Sequence, residues 1–342
     1  MHNLTITALL SFTTVALAAC ALPSHRPTAG LHTVPYQVTA KAGLDITNII
    51  LTKRSNHCVD YVGQYHAIAE DDRNHQHYTA YLTISTLGDK CVFTSNALPN
   101  HNYNDGKASL PNDVKPQYQV YQITQLPTFA AHNTPLSLRQ DNAIFLNGVK
   151  VDVLAAGCYG VGDGRIGCNN MNQPWRYDPV YSLSMFATDS HHAHAQPDGT
   201  YHYHAAPNAL FSEHGHAPSP SPVIGFAADG FPIFGSLIDD HGNVRPATSS
   251  YQLRTGSRPS GAGNPGGKYD GRFRDDYIYI KSSGDLDECN GMTVNGVYGY
   301  YITATFPYIL NCFKGTPDPS FNKKRPEHQR HHHRRPSQRR PW

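Results

Sequence analysis

Apolar and polar residues alternate in short runs along the chain, at Asp45–Leu51, His77–Thr86, Tyr118–Ile123, Tyr277–Ile280 and Tyr298–Thr305. A period of two sends successive side chains to opposite faces of a strand, so each run predicts a half-buried strand. No segment keeps a 3.6-residue apolar period over three turns, so no amphipathic helix of that length is expected. Two longer segments read as strand, turn, strand: Asn142–Val151 around Asn147-Gly148, and Val223–Phe234 around Asp229-Gly230. Asn-Gly and Asp-Gly favour a type I′ turn, in which both central residues take positive φ. Pro232 has no backbone donor, which predicts an edge strand or a bulge there. An internal echo aligns Asp198-Gly199-Thr200-Tyr201-His202-Tyr203-His204 with Asn295-Gly296-Val297-Tyr298-Gly299-Tyr300-Tyr301, as a duplicated unit would. The expected fold is all-β or β-dominated, a hairpin-rich, sandwich-like body with short helices at most. Abundant tyrosine (21), glycine (28) and proline (25) point the same way.

The N-terminus adds a location. Leu4 to Ala19 is uncharged and apolar or small, the length of a signal-peptide core and short for a membrane span. It ends in Leu17-Ala18-Ala19-Cys20, which resembles a bacterial lipobox, where the cysteine is lipidated and becomes the first mature residue. Met1-His2-Asn3 departs from the usual pattern in lacking Lys and Arg. The expected organisation is a lipoprotein signal peptide (1–20), a linker (21–40), an N-terminal β-rich region (41–139), a second domain (140–316) and a basic tail (317–342). The expected location is the bacterial cell envelope, with the chain lipid-anchored on a periplasmic or outer-membrane face.

Cysteine count agrees with export. There are seven, and setting Cys20 aside leaves Cys58, Cys91, Cys158, Cys168, Cys289 and Cys312, an even set able to pair fully in an oxidising compartment. Six cysteines allow 15 connectivities. Short loops suggest Cys58–Cys91, Cys158–Cys168 and Cys289–Cys312. No CxxC pair occurs, which argues against a cysteine-rich structural zinc site. The net charge of +2 hides an asymmetry: Lys323–Trp342 carries eight of the 28 basic residues and one of the 26 acidic ones. That tail is expected to be a disordered, solvated extension, able to touch anionic headgroups or anionic polymer; nucleic acid is not an expected partner.

Histidine carries the candidate chemistry. Seven of 21 fall within 191–216: His191, His192, His194, His202, His204, His214 and His216. On a strand, His202 and His204 share one face while Tyr201 and Tyr203 share the other. Two imidazoles so placed can bind one copper or zinc ion, with His194, His192, His216 or Asp229 as further ligands. A cupin-like site is disfavoured, because the first acid after His204 is Glu213, beyond the usual spacing. Asp285-Leu286-Asp287-Glu288-Cys289 reads as an acidic turn pinned by a disulfide, with Glu288 a candidate general base. No GxSxG, HExxH, P-loop or dinucleotide fingerprint is present.

Four ordered motifs, Asp198–Ala205, Ser221–Gly235, Leu286–Gly291 and Thr305-Phe306-Pro307-Tyr308, resemble the YHYH-domain family over about residues 140 to 316. The resemblance implies an exported or envelope domain, often a lipoprotein, and supplies no reaction. Members often carry a histidine on the Tyr strand before Thr-Phe-Pro-Tyr; here that strand reads Tyr298-Gly299-Tyr300-Tyr301. Three functions follow as expectations: a metal-binding envelope lipoprotein, a metal-dependent hydrolase of an envelope or extracellular polymer with Asp229 or Glu288 as base, and a non-catalytic glycan- or protein-binding module.

Overall fold

A computed structural model describes residues 43–323, apart from 106–109, 111, 182–185 and 213–218. The leader with Cys20, the linker, the basic tail beyond Lys323, and Glu213, His214 and His216 lie outside the described residues. In chain order the strands are β1 (Leu44–Asp45), β2 (Gly63–Asp71), β3 (Gln76–Leu87), β4 (Lys90–Ser95), β5 (Gln119–Thr124), β6 (Thr134–Pro135), β7 (Ala143–Phe145), β8 (Lys150–Val151), β9 (Ala193–Ala195) and β10 (Tyr201–Tyr203). They continue with β11 (Val223–Ala227), β12 (Pro232–Phe234), β13 (Leu237–Asp240), β14 (Asn243–Pro246), β15 (Tyr251–Leu253), β16 (Tyr277–Tyr279), β17 (Gly291–Val294), β18 (Val297–Tyr301) and β19 (Cys312–Phe313). Helix among the described residues is confined to three short 3₁₀ turns, so the β-dominated expectation holds.

β1 to β5 form one sheet in chain order. Its alternation is the one read from the sequence: Ala80, Leu82 and Ile84 of β3 and Cys91 and Phe93 of β4 point into the core. The second sheet has the order β17-β18-β12-β11-β7-β8-β10-β9. Every residue of β7, β8, β10, β11 and β12 is buried, because both faces of these strands are covered. The sheets share a core where Phe93 meets Phe226 at 6.1 Å and the Tyr121 hydroxyl donates to Asp141 Oδ2 at 2.8 Å. The disulfides are Cys58–Cys91, Cys158–Cys168 and Cys289–Cys312, the local set that loop length suggested.

Both predicted hairpins form, but their turns differ from expectation. Gly148 N donates to Phe145 O at 2.9 Å and Phe145 N to Val149 O at 3.0 Å. Gly230 N donates to Ala227 O and Ala227 N to Phe231 O, each at 2.9 Å. Only the glycine takes positive φ, 84° at Gly148 and 89° at Gly230. These are three-residue loops, a type I turn closed by a left-handed glycine, rather than type I′. Type I′ geometry occurs instead at Asn295-Gly296, where φ is 51° and 80°. Pro232 is on an inner strand, not an edge, and the adjacent bulge lies in β11 between Val223 and Gly225. Proline is tolerated because it is the first residue of β12, and parallel pairing with β18 begins one residue later, at Ile233.

The second sheet has an approximate two-fold axis between β7 and β11. On one side β10 runs parallel to β8 and antiparallel to the edge strand β9; on the other β18 runs parallel to β12 and antiparallel to the edge strand β17. Tyr203 faces Val151 and Tyr300 faces Ile233, each partner lying four residues after its hairpin's Asn147 or Asp229. That register reproduces the alignment of Asp198–His204 with Asn295–Tyr301, so the sequence echo is a repeat in the fold.

Candidate metal centre

β9 and β10 form a hairpin in which His194 lies directly opposite His202. His204 follows two residues on, so three imidazoles project from one face of two neighbouring strands. Their ligand-competent nitrogens lie within 4.8 Å of one another, and His194 Nε2 and His204 Nε2 are 3.1 Å apart. Zinc with nitrogen ligands at 2.0–2.1 Å and tetrahedral angles separates those nitrogens by about 3.3 Å. The arrangement therefore fits one ion after small ring movements.

Hydrogen bonds on the far side of the rings orient them. His194 Nδ1 faces Ala187 O at 2.7 Å, and His202 Nδ1 faces Thr200 O at 3.3 Å. A carbonyl can only accept, so each Nδ1 carries the proton and each Nε2 presents a lone pair to the centre. In the metal-free state His204 supplies the donor, with its Nε2–H directed at His194 Nε2. Its Nδ1 is then left without a well-formed hydrogen bond, although the Asp152 backbone oxygen lies beside the ring. A metal ion bound at Nε2 would require that proton to sit on Nδ1 instead, beside the Asp152 backbone oxygen, leaving the ring neutral.

Burial keeps the rings neutral. His202 is 2% exposed and His204 4% exposed, while His194 is half-buried. Desolvation, reinforced by the neighbouring histidines and Lys150, holds His202 well below the ordinary histidine range. Desolvation, then His194 and Lys323, does the same for His204, and burial lowers His194. Neutral imidazole is the metal-binding form.

Sequence reasoning missed the charged groups beside the histidines. Lys150 lies opposite His202 on β8, and its Nζ donates to Asp141 Oδ1 at 2.9 Å and to Gln196 Oε1 at 3.3 Å. Gln196 Nε2 donates to Asp152 Oδ2 at 3.2 Å, and Lys323 Nζ donates to the same carboxylate. Asp152 Oδ1 is buried without a partner. Burial raises the Asp152 pKa, with Lys323 opposing.

The remaining candidates lie apart from this cluster. His192 adopts φ 58°, turns its Nδ1 to Ala206 O at 3.0 Å, and accepts the His204 backbone N–H on its own carbonyl. Asp229 lies across the sheet: the backbone row Ala228, Asn142, Val151, Tyr203 spans three interstrand steps, roughly 14 Å. Its Oδ2 accepts from the Tyr300 hydroxyl at 2.6 Å and from Gly315 N at 2.9 Å. Burial raises its pKa. Glu288 is ion-paired with Lys314 at 2.8 Å, which brings it down to about 2 and makes it a weak base.

The two-fold relation explains Asp229. Asn147 is its counterpart, and Asn147 Nδ2 donates to the Tyr203 hydroxyl at 3.0 Å, as Tyr300 donates to Asp229. Tyr201 donates to Asp189 Oδ2 at 2.6 Å; its counterpart Tyr298 donates to Asp287 Oδ2 at 3.1 Å. Asp189 Oδ1 accepts His191 N and Ala193 N, and Asp287 Oδ1 accepts Cys289 N and Gly291 N. The histidines are not repeated. Met292, Gly299 and Tyr301 stand where His194, His202 and His204 would, and Tyr301 stacks on Phe234 at 5.1 Å.

Fold and site together define a disulfide-stapled β-protein with a three-histidine cluster able to hold a metal ion. Residues 120–315, more than half of the chain, match the family described as YHYH protein, and the chain belongs to that family. No curated protein and no solved structure matches it.

Proposed function

We propose that this chain is an envelope lipoprotein, anchored through Cys20, that binds copper or zinc through His194, His202 and His204. The observation that carries the reading is the convergence of three carbonyl-oriented or buried neutral imidazoles, with two Nε2 atoms 3.1 Å apart. Three neutral nitrogen ligands suit either metal. The tail histidines can also bind metal loosely, so total metal content is a poor readout. Stabilisation is better: a metal at 100 times its Kd raises unfolding free energy by about 2.7 kcal/mol. The mature chain should gain that much with zinc or copper, and the His202→Ala/His204→Ala variant should gain nothing. Equal gains in both proteins would end the metal reading. Cys20→Ser should abolish palmitate labelling in a bacterial host.

One observation favours a second reading, hydrolysis. Three protein ligands would leave a fourth position for water, and Asp152, whose Oδ1 is buried without a partner, lies near enough to His194 to act on its ring electrostatically. If so, Asp152→Asn removes any metal-dependent cleavage of envelope polymer while the metal-induced stabilisation persists. Loss of both together would make Asp152 part of metal binding instead.

A further inference from the structure

A second site stands on residues outside the histidine cluster. A cavity of about 530 Å³, within the size range of small-molecule sites, is walled by Trp175, Tyr251, Tyr277 and Phe306 and carries Arg176, Arg254 and Arg274. Three guanidiniums face one lining carboxylate, Asp275, and none of the three forms an ion pair among the described residues. Arg176 is 4% exposed and is held by the backbone oxygens of Ala155, Cys168 and Asn170 at 2.8–3.1 Å. Arg254 Nε donates to Asp275 O at 3.1 Å. Arg274 donates to Asn311 Oδ1 and lies 4.8 Å above the Phe306 ring. The Asp275 carboxylate is engaged by Arg176 N at 3.2 Å, and Asp178, which also faces Arg274, accepts from Tyr308 at 3.2 Å and from Val180 N.

Unpaired guanidiniums sharing a half-dry cavity repel one another. Burial, followed by the charge of Arg274, lowers the Arg176 pKa, and burial lowers that of Arg274. Such an arrangement is costly unless an anion completes it. The guanidinium fork matches carboxylate and phosphate oxygens. Tyr277 stacked on Phe306 at 4.4 Å and 6°, with Tyr251 edge-on at 5.2 Å, gives flat apolar walls beside the charges. We infer that this cavity binds an anionic sugar, a pyranose bearing a carboxylate or phosphate, with Arg274 and Arg254 taking the anion and the Tyr251 and Tyr277 side chains flanking the ring. Phe306, sandwiched between Tyr277 and Arg274, belongs to the Thr-Phe-Pro-Tyr motif, which this assignment gives the place of supporting both side chains from behind the site. The inference is independent of the metal reading.

The test is calorimetric titration of the full mature chain, at fixed physiological salt and with chelator, against digalacturonate, glucose 6-phosphate, galactobiose and inorganic phosphate. Binding of digalacturonate or glucose 6-phosphate, at least tenfold tighter than galactobiose or phosphate, is expected, and which of the two binds identifies the anion. Arg274→Gln should weaken it at least tenfold. Because Arg274 also packs on Phe306, Arg254→Gln, at an exposed position, provides a variant expected to fold and to weaken binding severalfold. Binding of neither anionic sugar, equal binding of the neutral one, phosphate binding as tightly as the sugars, or undiminished affinity in the folded variants would overturn the assignment.

Discussion

Acidification of the metal-free protein should reveal His101 as a buried neutral histidine. His101 is 3% exposed; its Nδ1–H is directed at Asn102 O, 2.6 Å away, and its Nε2 accepts from the Tyr203 hydroxyl. Burial first, and the His191 ring second, bring its pKa from the ordinary 6.5 down to about 3. The folded state thus binds fewer protons than the unfolded chain between those values. Its contribution to stability is complete above pH 6.5 and declines as pH falls toward 3, by about 1.4 kcal/mol per pH unit. By pH 5 the loss is about 2 kcal/mol, a substantial share of the ~5–15 kcal/mol typical of a domain. Buried carboxylates with raised pKa, Asp152, Asp178, Asp189 and Asp229, act in the opposite direction, since they bind more protons when folded. They are common to wild type and His101→Gln and cancel in the difference. Urea unfolding with disulfides intact and chelator present, at pH 7, 6 and 5, should show the variant losing about 2 kcal/mol less than wild type over that range. Parallel pH profiles would refute the assignment of His101 as a neutral, desolvated ring.

Other outcomes follow from the packing and can be measured by denaturant unfolding. A Cβ at position 225 would lie 2.6 Å from Ile144 O and 2.8 Å from Phe145 Cα. Those are backbone atoms that cannot move aside, so Gly225→Ala should cost about 3 kcal/mol or more. Tyr300→Phe removes a donor from buried Asp229 and should cost about 1–3 kcal/mol; Tyr203→Phe, at the two-fold counterpart, should cost a similar amount through Asn147 and His101. Removing Cys158–Cys168, with a separation of 10 residues, should destabilise by about 3 kcal/mol, and removing Cys58–Cys91, with a separation of 33, by nearer 4.

β3 and β5, whose buried residues alternate, overlap predicted runs because alternation records a single covered face; β16 and β18 also overlap predicted runs, although β18 is buried on both faces, while the Asp45–Leu51 run is strand only at Asp45. The turn types were not, since Asn-Gly and Asp-Gly place a glycine at positive φ in either loop length, and only the flanking register separates two residues from three. His202 and His204 on one face follow from strand geometry alone. His194 had a stronger signal than proximity: a three-residue loop at Pro197-Asp198-Gly199 puts it opposite His202. Asp152, Lys150 and Lys323 had none, because a parallel pairing across some fifty residues and a C-terminal lysine bring them to the cluster.

The two halves of the second sheet separate framework from chemistry. Where the halves agree, they agree on the tyrosines: Tyr201 and Tyr298 tie to Asp189 and Asp287, and Tyr203 and Tyr300 tie to Asn147 and Asp229. Those side chains face one way and fasten strands to turns. On the opposite face, where no framework bond needs an imidazole, one half places His202 and His204 and the other Gly299 and Tyr301. A Cβ at Gly299 would meet Phe234 at 2.5 Å and Pro232 O at 3.0 Å, so that face is filled by packing in the second half. The fold therefore stands without the histidines in one of two equivalent places. A structural need for Tyr-His-Tyr-His as a whole would demand both pairs in both halves. The motif splits by face instead, with tyrosines holding the sheet and histidines free to serve a ligand.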